Sequence, residues 1–226
     1  MLHTITPIAT ARTPYRQKFG VARQPGLVPA AEVCIELNPE FTEACMRGLD
    51  EFDYVWISFI FHDAVAEGWA ELVRPPRLGG KQKVGVFATR SPHRPNHLGL
   101  SLLKLERIEL DRPIKLYCSG ADLLDGTPIV DIKPYIPFVE AKPEAASGFV
   151  SGKPDELAVE WHTAAALPEP HRLLIEQSIA QDPRPAYQNI PERVYTMAVA
   201  GYEVKFQIQG NTAAIIGVET PDRAEE

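Results

Sequence analysis

No apolar run in this chain approaches the roughly 20 residues that a bilayer-spanning helix needs. Its opening, MLHTITPIATARTPYRQ, breaks any signal-like stretch with prolines, threonines and a histidine. Those absences set the expectation of a cytoplasmic protein with no membrane partner. Cysteine is scarce: Cys34, Cys45 and Cys118 are odd in number and far apart, which argues against a disulfide framework or a thiolate metal site and predicts three buried thiols. No GxGxxG joins a strand to a helix and no GxxxxGK[ST] is present, so nucleotide binding of the doubly wound or P-loop kind lacks its usual support. A GxSxG elbow is also missing, and the histidines have no zinc-ligand spacing. The formal net charge of −7 is poor in the surplus of cations that binds phosphate backbones nonspecifically.

The charge that is present is unevenly spread. Arg12, Arg16, Lys18 and Arg23 lie near the start, while Arg74, Arg77, Lys81, Lys83, Arg90 and Arg94 crowd the middle. They interleave with Gly, Pro, Asn and Ser, a pattern suited to phosphate-contacting loops as well as to a solvated face. With 45% hydrophobic and 23% charged residues, the composition is that of a globular protein.

Short strand-like segments recur at His3 to Ala9, Ala31 to Leu37, Tyr54 to Phe61, Lys83 to Phe87, Leu100 to Leu110, Pro113 to Ser119 and Thr127 to Ile132. Turn residues separate most of them, which predicts an antiparallel sheet or barrel. A helix is expected over Pro39 to Leu49, capped by Asn38, with Phe41, Cys45 and Leu49 at helical spacing and Gly48 near its exit. From Ala141 to Pro154 the chain reads as a linker. A strand at Leu157 to His162, a helix from about Pro170 to Gln181 and a hairpin over Val194 to Val218, turning near Gly210 and Asn211, then predict a smaller α+β domain. The expected division is 1–150 and 151–226, with a disordered PDRAEE tail.

The richest polar segment is GVFATRSPHRPNHLGLS, residues 85–101. Its prolines restrict a loop of donors, Arg90, Ser91, His93, Arg94, Asn96 and His97, so little entropy would be lost on binding. Asp125-Gly126-Thr127 is a strong turn signal. Asp122, Asp125 and Asp131 match no calcium-loop spacing, and no metal site is expected. His62-Asp63 ends the segment YVWISFIF, where an acid and an imidazole could meet a ligand or merely cap a strand. His3, His162 and His171 have less around them. In DPRPAY, Asp182, Arg184 and Tyr187 stand among prolines, a rigid polar loop that reads either as a surface turn or as an RNA contact with Tyr187 stacking.

Arg23-Gln24-Pro25-Gly26-Leu27, His62-Asp63, GVFATRSPHRPNHLGLS, DLLDGTPIVDIKPY and DPRPAY together closely resemble the YaeB-like tRNA (N6-threonylcarbamoyladenosine-37)-N6-methyltransferases, which carry a TsaA-like β-barrel domain. The resemblance extends over essentially the whole chain. It implies a mainly β fold, a compact antiparallel barrel that binds S-adenosylmethionine without a Rossmann fold, with a smaller C-terminal α+β domain contributing to tRNA recognition, in a homodimer. Carried across by motif, the cofactor would lie against Ala22, Arg23, Gln24, His62, Asp63, Arg90, Leu100, Leu124, Asp125, Gly126 and Thr127. Backbone groups of the Asp125–Thr127 turn and of the loop after Arg23 would read the adenine edge. Where the family often has proline this chain has Ala22, and where it often has Pro-Ile this chain has His97-Leu98. Asp182 and Tyr187 are the candidate proton acceptors, and Arg12, Arg16, Arg77, Lys81, Arg94 and Arg184 the candidate contacts to tRNA bearing threonylcarbamoyladenosine. A methyltransferase for another small-molecule or protein acceptor, or a nonenzymatic RNA-binding or cofactor-sensing barrel, are the alternatives.

Overall fold

The computed structural model describes residues 4–185, 188, 190 and 192–220. Alternation of apolar and polar residues, the pattern of a sheet with one buried face, builds its first unit. In β3 (Tyr54–Ile60), Val55, Ile57 and Phe59 point inward; in β2 (Val33–Leu37), Val33, Ile35 and Leu37 do the same. With β1 (Ala9–Arg12), β6 (Leu98–Glu109), β7 (Lys115–Ser119) and β8 (Pro128–Pro134) they close into a barrel of order β1-β2-β7-β6-β3-β8, every neighbour antiparallel. Closure leaves no free edge, and the interior is filled by side chains such as Ile35, Ile57, Leu103, Leu116 and Ile129. The architecture is the one expected, an antiparallel barrel with a smaller α+β region and no Rossmann fold.

Between β3 and β6 the chain leaves the barrel as a small ribbon, β4 (Leu72–Val73) against β5 (Val84–Gly85). After the barrel comes one turn of helix, α1 (Pro137–Glu140), and then an exposed connection. The second unit is a four-stranded sheet of order β10-β11-β12-β9, from β9 (Ala158–Trp161), β10 (Tyr195–Val199), β11 (Tyr202–Gln209) and β12 (Thr212–Glu219). Helix α2 (Glu169–Ala180) packs on it through Leu174, Ile175 and Ile179, with Pro170 in its first turn.

This second core does not belong to the C-terminal half alone. Tyr15, Ala22, Val28 and Ala31, all from the excursion between β1 and β2, are buried within it. The Phe19 ring lies 6.2 Å from Tyr195 and 6.3 Å from Phe206. Gly20, at φ +99°, sits so close to Met197 that a Cβ there would be 2.3 Å from the sulfur, so only glycine meets both the backbone and the packing demand.

Several local expectations fail. No α-helix forms over residues 39–49; the segment makes i→i+3 turns at Glu43–Cys45 and Leu49–Glu51. Gly48 takes φ +82° and Asn38 donates its amide to the Pro7 carbonyl instead of capping. Phe41 and Leu49 still reach the barrel core, but Cys45 faces solvent, so the three thiols are one buried, one half-buried and one exposed. The first strand is Ala9–Arg12 rather than His3 to Ala9, because pairing begins only after Pro7, which has no N–H to give; His3 itself lies outside the described residues, as does the PDRAEE tail. Lys83 to Phe87 yields a two-residue strand that breaks into a tight turn at Val86–Ala88. The Val194 to Val218 hairpin is three strands, with an extra turn at Ala200-Gly201.

Candidate functional site

Four loops meet between the barrel and the C-terminal unit, and hydrogen bonds tie them together. Arg23 donates through Nη2 to the carbonyls of Asp182 (3.1 Å) and Arg184 (2.9 Å). The next residue, Gln24, accepts from Arg90 Nη1 at 2.6 Å. Arg90 lies near enough to Asp122 to favour its charged form, and Asp122 accepts from Ser101 Oγ at 2.6 Å. Ala22, Arg23, Gln24, Arg90, Leu100 and the 182–184 loop thus gather at one place. Burial is the largest influence on the Asp122 carboxyl and pushes it up to about 6.

The 124–127 turn is pinned beside β1. Thr13 N–H donates to Asp125 Oδ1 at 3.0 Å, Asp125 N–H to Tyr15 O, Gly126 N–H to Ala11 O, and Thr127 donates its N–H and hydroxyl to Leu124 O. All three amides of Asp125-Gly126-Thr127 are therefore spent internally. The turn can offer a ligand acceptors instead, at the carbonyls of Asp125 and Gly126.

At the end of β3, His62 Nδ1 is enclosed without a hydrogen-bond partner among the described residues. An unmade bond of this kind costs about 1–3 kcal/mol unless something completes it. Asp63 is beside it, with Lys18 Nζ 3.1 Å from an Oδ2 that no hydrogen bond satisfies. Lys18 also pairs with Glu67 at 3.1 Å, and His93 Nε2 stands 3.8 Å from the same acid.

The Pro-rich loop is self-stapled. Ser91 N–H donates to Thr89 Oγ1, His93 N–H to Ser91 Oγ, and Arg94 Nη1 to the carbonyls of Thr89 (3.1 Å) and Ser91 (3.4 Å). His97 adopts φ +49°, with Nδ1 3.0 Å from Pro92 O. Gly99 then re-enters the barrel directly opposite Phe59, whose ring would lie 2.3 Å from any Cβ. The missing side chain at this glycine thus makes room for a core aromatic. Leu100, next along, is 54% exposed and leaves an apolar side chain on the barrel's outer face.

Asp182 and Arg184 bind each other. Arg184 Nε reaches Oδ1 and Nη2 reaches Oδ2, both at 2.8 Å, a paired geometry that fixes the guanidinium plane. Asp182 sits at φ +46°. Tyr187 lies outside the described residues. Arg12 and Arg16 are exposed on the β1 side, and Arg77 and Lys81 on the ribbon. Arg77 donates to Gly152 O at 2.7 Å.

The Ser101–Asp122 pair is not evident from the spacing of the acids, which raises Asp122 only as a cation ligand. The available signal was an acid in GADLL, flanked by apolar residues that leave it no solvent face; Ala121 and Leu123 are indeed buried. Among the described residues no group of three or more His, Cys, Asp or Glu side chains gathers as a metal site, and no helix is long and apolar enough to cross a membrane.

Comparison with known proteins places the same two units. Residues 10–141 match the model of the tRNA-methyltransferase O N-terminal domain, and residues 154–221 the model of the TrmO C-terminal domain. A tRNA (adenine(37)-N6)-methyltransferase of Eikenella corrodens is 62% identical over 170 residues, 74% of this chain and 97% of the relative. A Pseudomonas aeruginosa protein described as a putative S-adenosylmethionine-dependent methyltransferase, RcsF, is 46% identical over 198 residues, 83% of this chain and 84% of that one. The crystal structure of TrmO from Pseudomonas aeruginosa superimposes with a TM-score of 0.81 at 34% identity, covering 97% of this chain and 99% of that chain.

Proposed function

This chain belongs to the tRNA-methyltransferase O family, and from that premise we propose that it transfers a methyl group from S-adenosylmethionine to N6 of threonylcarbamoyladenosine at position 37 of tRNA. The observation that carries the reading is the convergence of the motif loops on Arg23, which joins the cofactor side of the barrel to the 182–184 loop of the second unit. We take 1–150 as the cofactor unit and 151–226 as the unit that adds tRNA recognition, acting in the cytoplasm as a homodimer.

Ala22, Arg23, Gln24, His62, Asp63, Arg90, Leu100 and Leu124 to Thr127 would hold the cofactor, and their chemistry fits it. The enclosed His62 Nδ1 needs a partner. Exposed Leu100 offers apolar surface, and the carbonyls of Asp125 and Gly126 suit the amino group of an adenine. When bound, the cofactor supplies an electrophilic methyl on a positively charged sulfur. The protein's share is to hold the acceptor nitrogen in line with that methyl and to take the proton the nitrogen sheds.

Asp182 is the proposed proton acceptor, with Tyr187 as its companion candidate. In the structure both Asp182 oxygens are engaged by Arg184. The threonine carboxylate of the modified base is a competing partner for that fork. As Arg184 turns to the substrate, Asp182 is released to accept a proton, so the correct substrate would free its own base. Arg12, Arg16, Arg77, Lys81 and Arg94 would add phosphate contacts whose strength falls with salt.

Mass spectrometry of nucleosides tests the proposal, after incubation of the protein and S-adenosylmethionine with tRNA carrying or lacking the threonylcarbamoyl group. One added methyl on the modified nucleoside alone is expected. A methyl on unmodified adenosine, or none on either tRNA while the cofactor binds, would overturn it.

A further inference from the structure

The ribbon that leaves the barrel between β3 and β6 exposes large apolar side chains where a solvated loop would be polar. Trp69 is 54% exposed, Leu72 54% and Phe87 78%. Their placement is fixed from both sides. Leu72 pairs with Gly85, Val86 N–H donates to Glu71 O at 2.9 Å, and Ala70 N–H donates to His93 O at 3.1 Å. The Val86–Glu71 bond brings the start of the Val86–Ala88 turn against the segment that follows Trp69, so both aromatics rise at the foot of the loop that carries Arg90. Val86, the first residue of that turn, is buried, and the neighbouring Phe87 stands out in solvent.

The surrounding charge selects the partner. Between Trp69 and Arg94 the basic residues are Arg74, Arg77, Lys81, Lys83, Arg90 and Arg94, and Glu71 is the only acid, in a chain of net charge −7. Among the described residues Arg74, Lys81 and Lys83 make no ion pair. Aromatic faces beside uncommitted cations are what unpaired bases and their phosphates require.

We propose that Trp69 and Phe87 form a stacking platform for an unpaired anticodon-loop base next to the methylated adenosine, with Arg74, Lys81 and Lys83 gripping the adjoining phosphates. The platform rests on the tRNA reading above and deepens it, since that reading assigned only arginines and one lysine to the RNA. It explains how an acidic protein holds RNA: affinity comes from one basic excursion and from stacking, which salt does not screen. The outer edge of the ribbon thereby sets which loop nucleotides the site accepts.

The test uses the full chain and its Trp69→Ala, Phe87→Ala and Trp69→Phe variants with an anticodon stem–loop RNA that carries the fluorescent base 2-aminopurine beside the target adenosine. The wild-type protein should quench the fluorophore. Either alanine variant should lose the quenching and bind the RNA about tenfold more weakly, Trp69→Phe should retain most of both, and all should bind S-adenosylmethionine as the wild type does. Unchanged quenching and affinity in the alanine variants would overturn the platform. So would variants that sediment as a smaller species yet bind RNA normally, because the patch would then be an interface between two copies. Quenching that depends on Trp69 in a protein that methylates no tRNA would leave the platform standing and remove the enzymatic reading, so the two failures are distinguishable.

Discussion

The barrel and the C-terminal sheet are comparable in strand quality but not in independence. The barrel closes on itself, and its core cluster is drawn from residues Ile8 to Ile132. The four-stranded sheet ends openly and completes its core with Tyr15, Ala22, Val28 and Ala31 from the other end of the chain. That borrowed segment carries Arg23 and Gln24 on its other side. The difference teaches that the site's first loop is positioned from behind by the second unit, although it is covalently part of the first.

Phe206→Ala puts the largest strain on this comparison. Phe206 is fully buried in the shared core and stacks near Phe19, so its loss should cost about 4 kcal/mol. S-adenosylmethionine affinity of the folded fraction, measured by calorimetry, should fall as well. A stability loss with unchanged affinity would break the claim that the sheet positions the loop.

Asp122→Asn sharpens the barrel side. Burial raises the native carboxyl from 3.8 to about 6. The stability it contributes is fully present below its unfolded pKa and is lost as pH rises through about 6, where the native state must hold the anion. The asparagine keeps an acceptor for Ser101 and avoids that charge. It should therefore match the parent near pH 4 and exceed it by up to about 3 kcal/mol above pH 7. Denaturant melts across that range check the sign; a variant less stable than the parent at pH 7 would mean the anion is held by partners rather than merely buried.

Tyr15→Phe is the smallest effect. The Tyr15 hydroxyl, pushed up to about 12 by burial, shares a 2.9 Å hydrogen bond with Ser178 Oγ across the seam. Removing it should cost about 1 kcal/mol, visible as a lower denaturation midpoint, with Ser178→Ala adding little more in the double variant. Additive losses would show that the two hydroxyls have other partners.

The barrel was legible because strands buried on one face write their period into sequence, as YVWISFI does, and α2 was legible because Pro170 and its apolar run agree. Residues 39–49 misled because Phe41, Cys45 and Leu49 satisfy a helical period that a pair of tight turns also satisfies; only Phe41 and Leu49 are held by the core. The turn at Ala200-Gly201 carries little signal, since Ala200 takes φ +52° against its own preference. At the site, the residue types of the motif loops were visible, but their pairings were not. That Arg94 staples its own loop and that Arg184 faces Asp182 depends on backbone paths that a linear reading does not supply.

The meeting of Gly20 with Met197 has a consequence for how such chains can be recombined. A Cβ at position 20 would collide with the sulfur, so the two positions behave as lock and key although 177 residues of chain separate them. A chimera joining the front of one relative to the back of another would inherit half of that fit, and a larger side chain on one parent's side would need a smaller one on the other's. Lineages that exchange the two halves must therefore exchange this pair together.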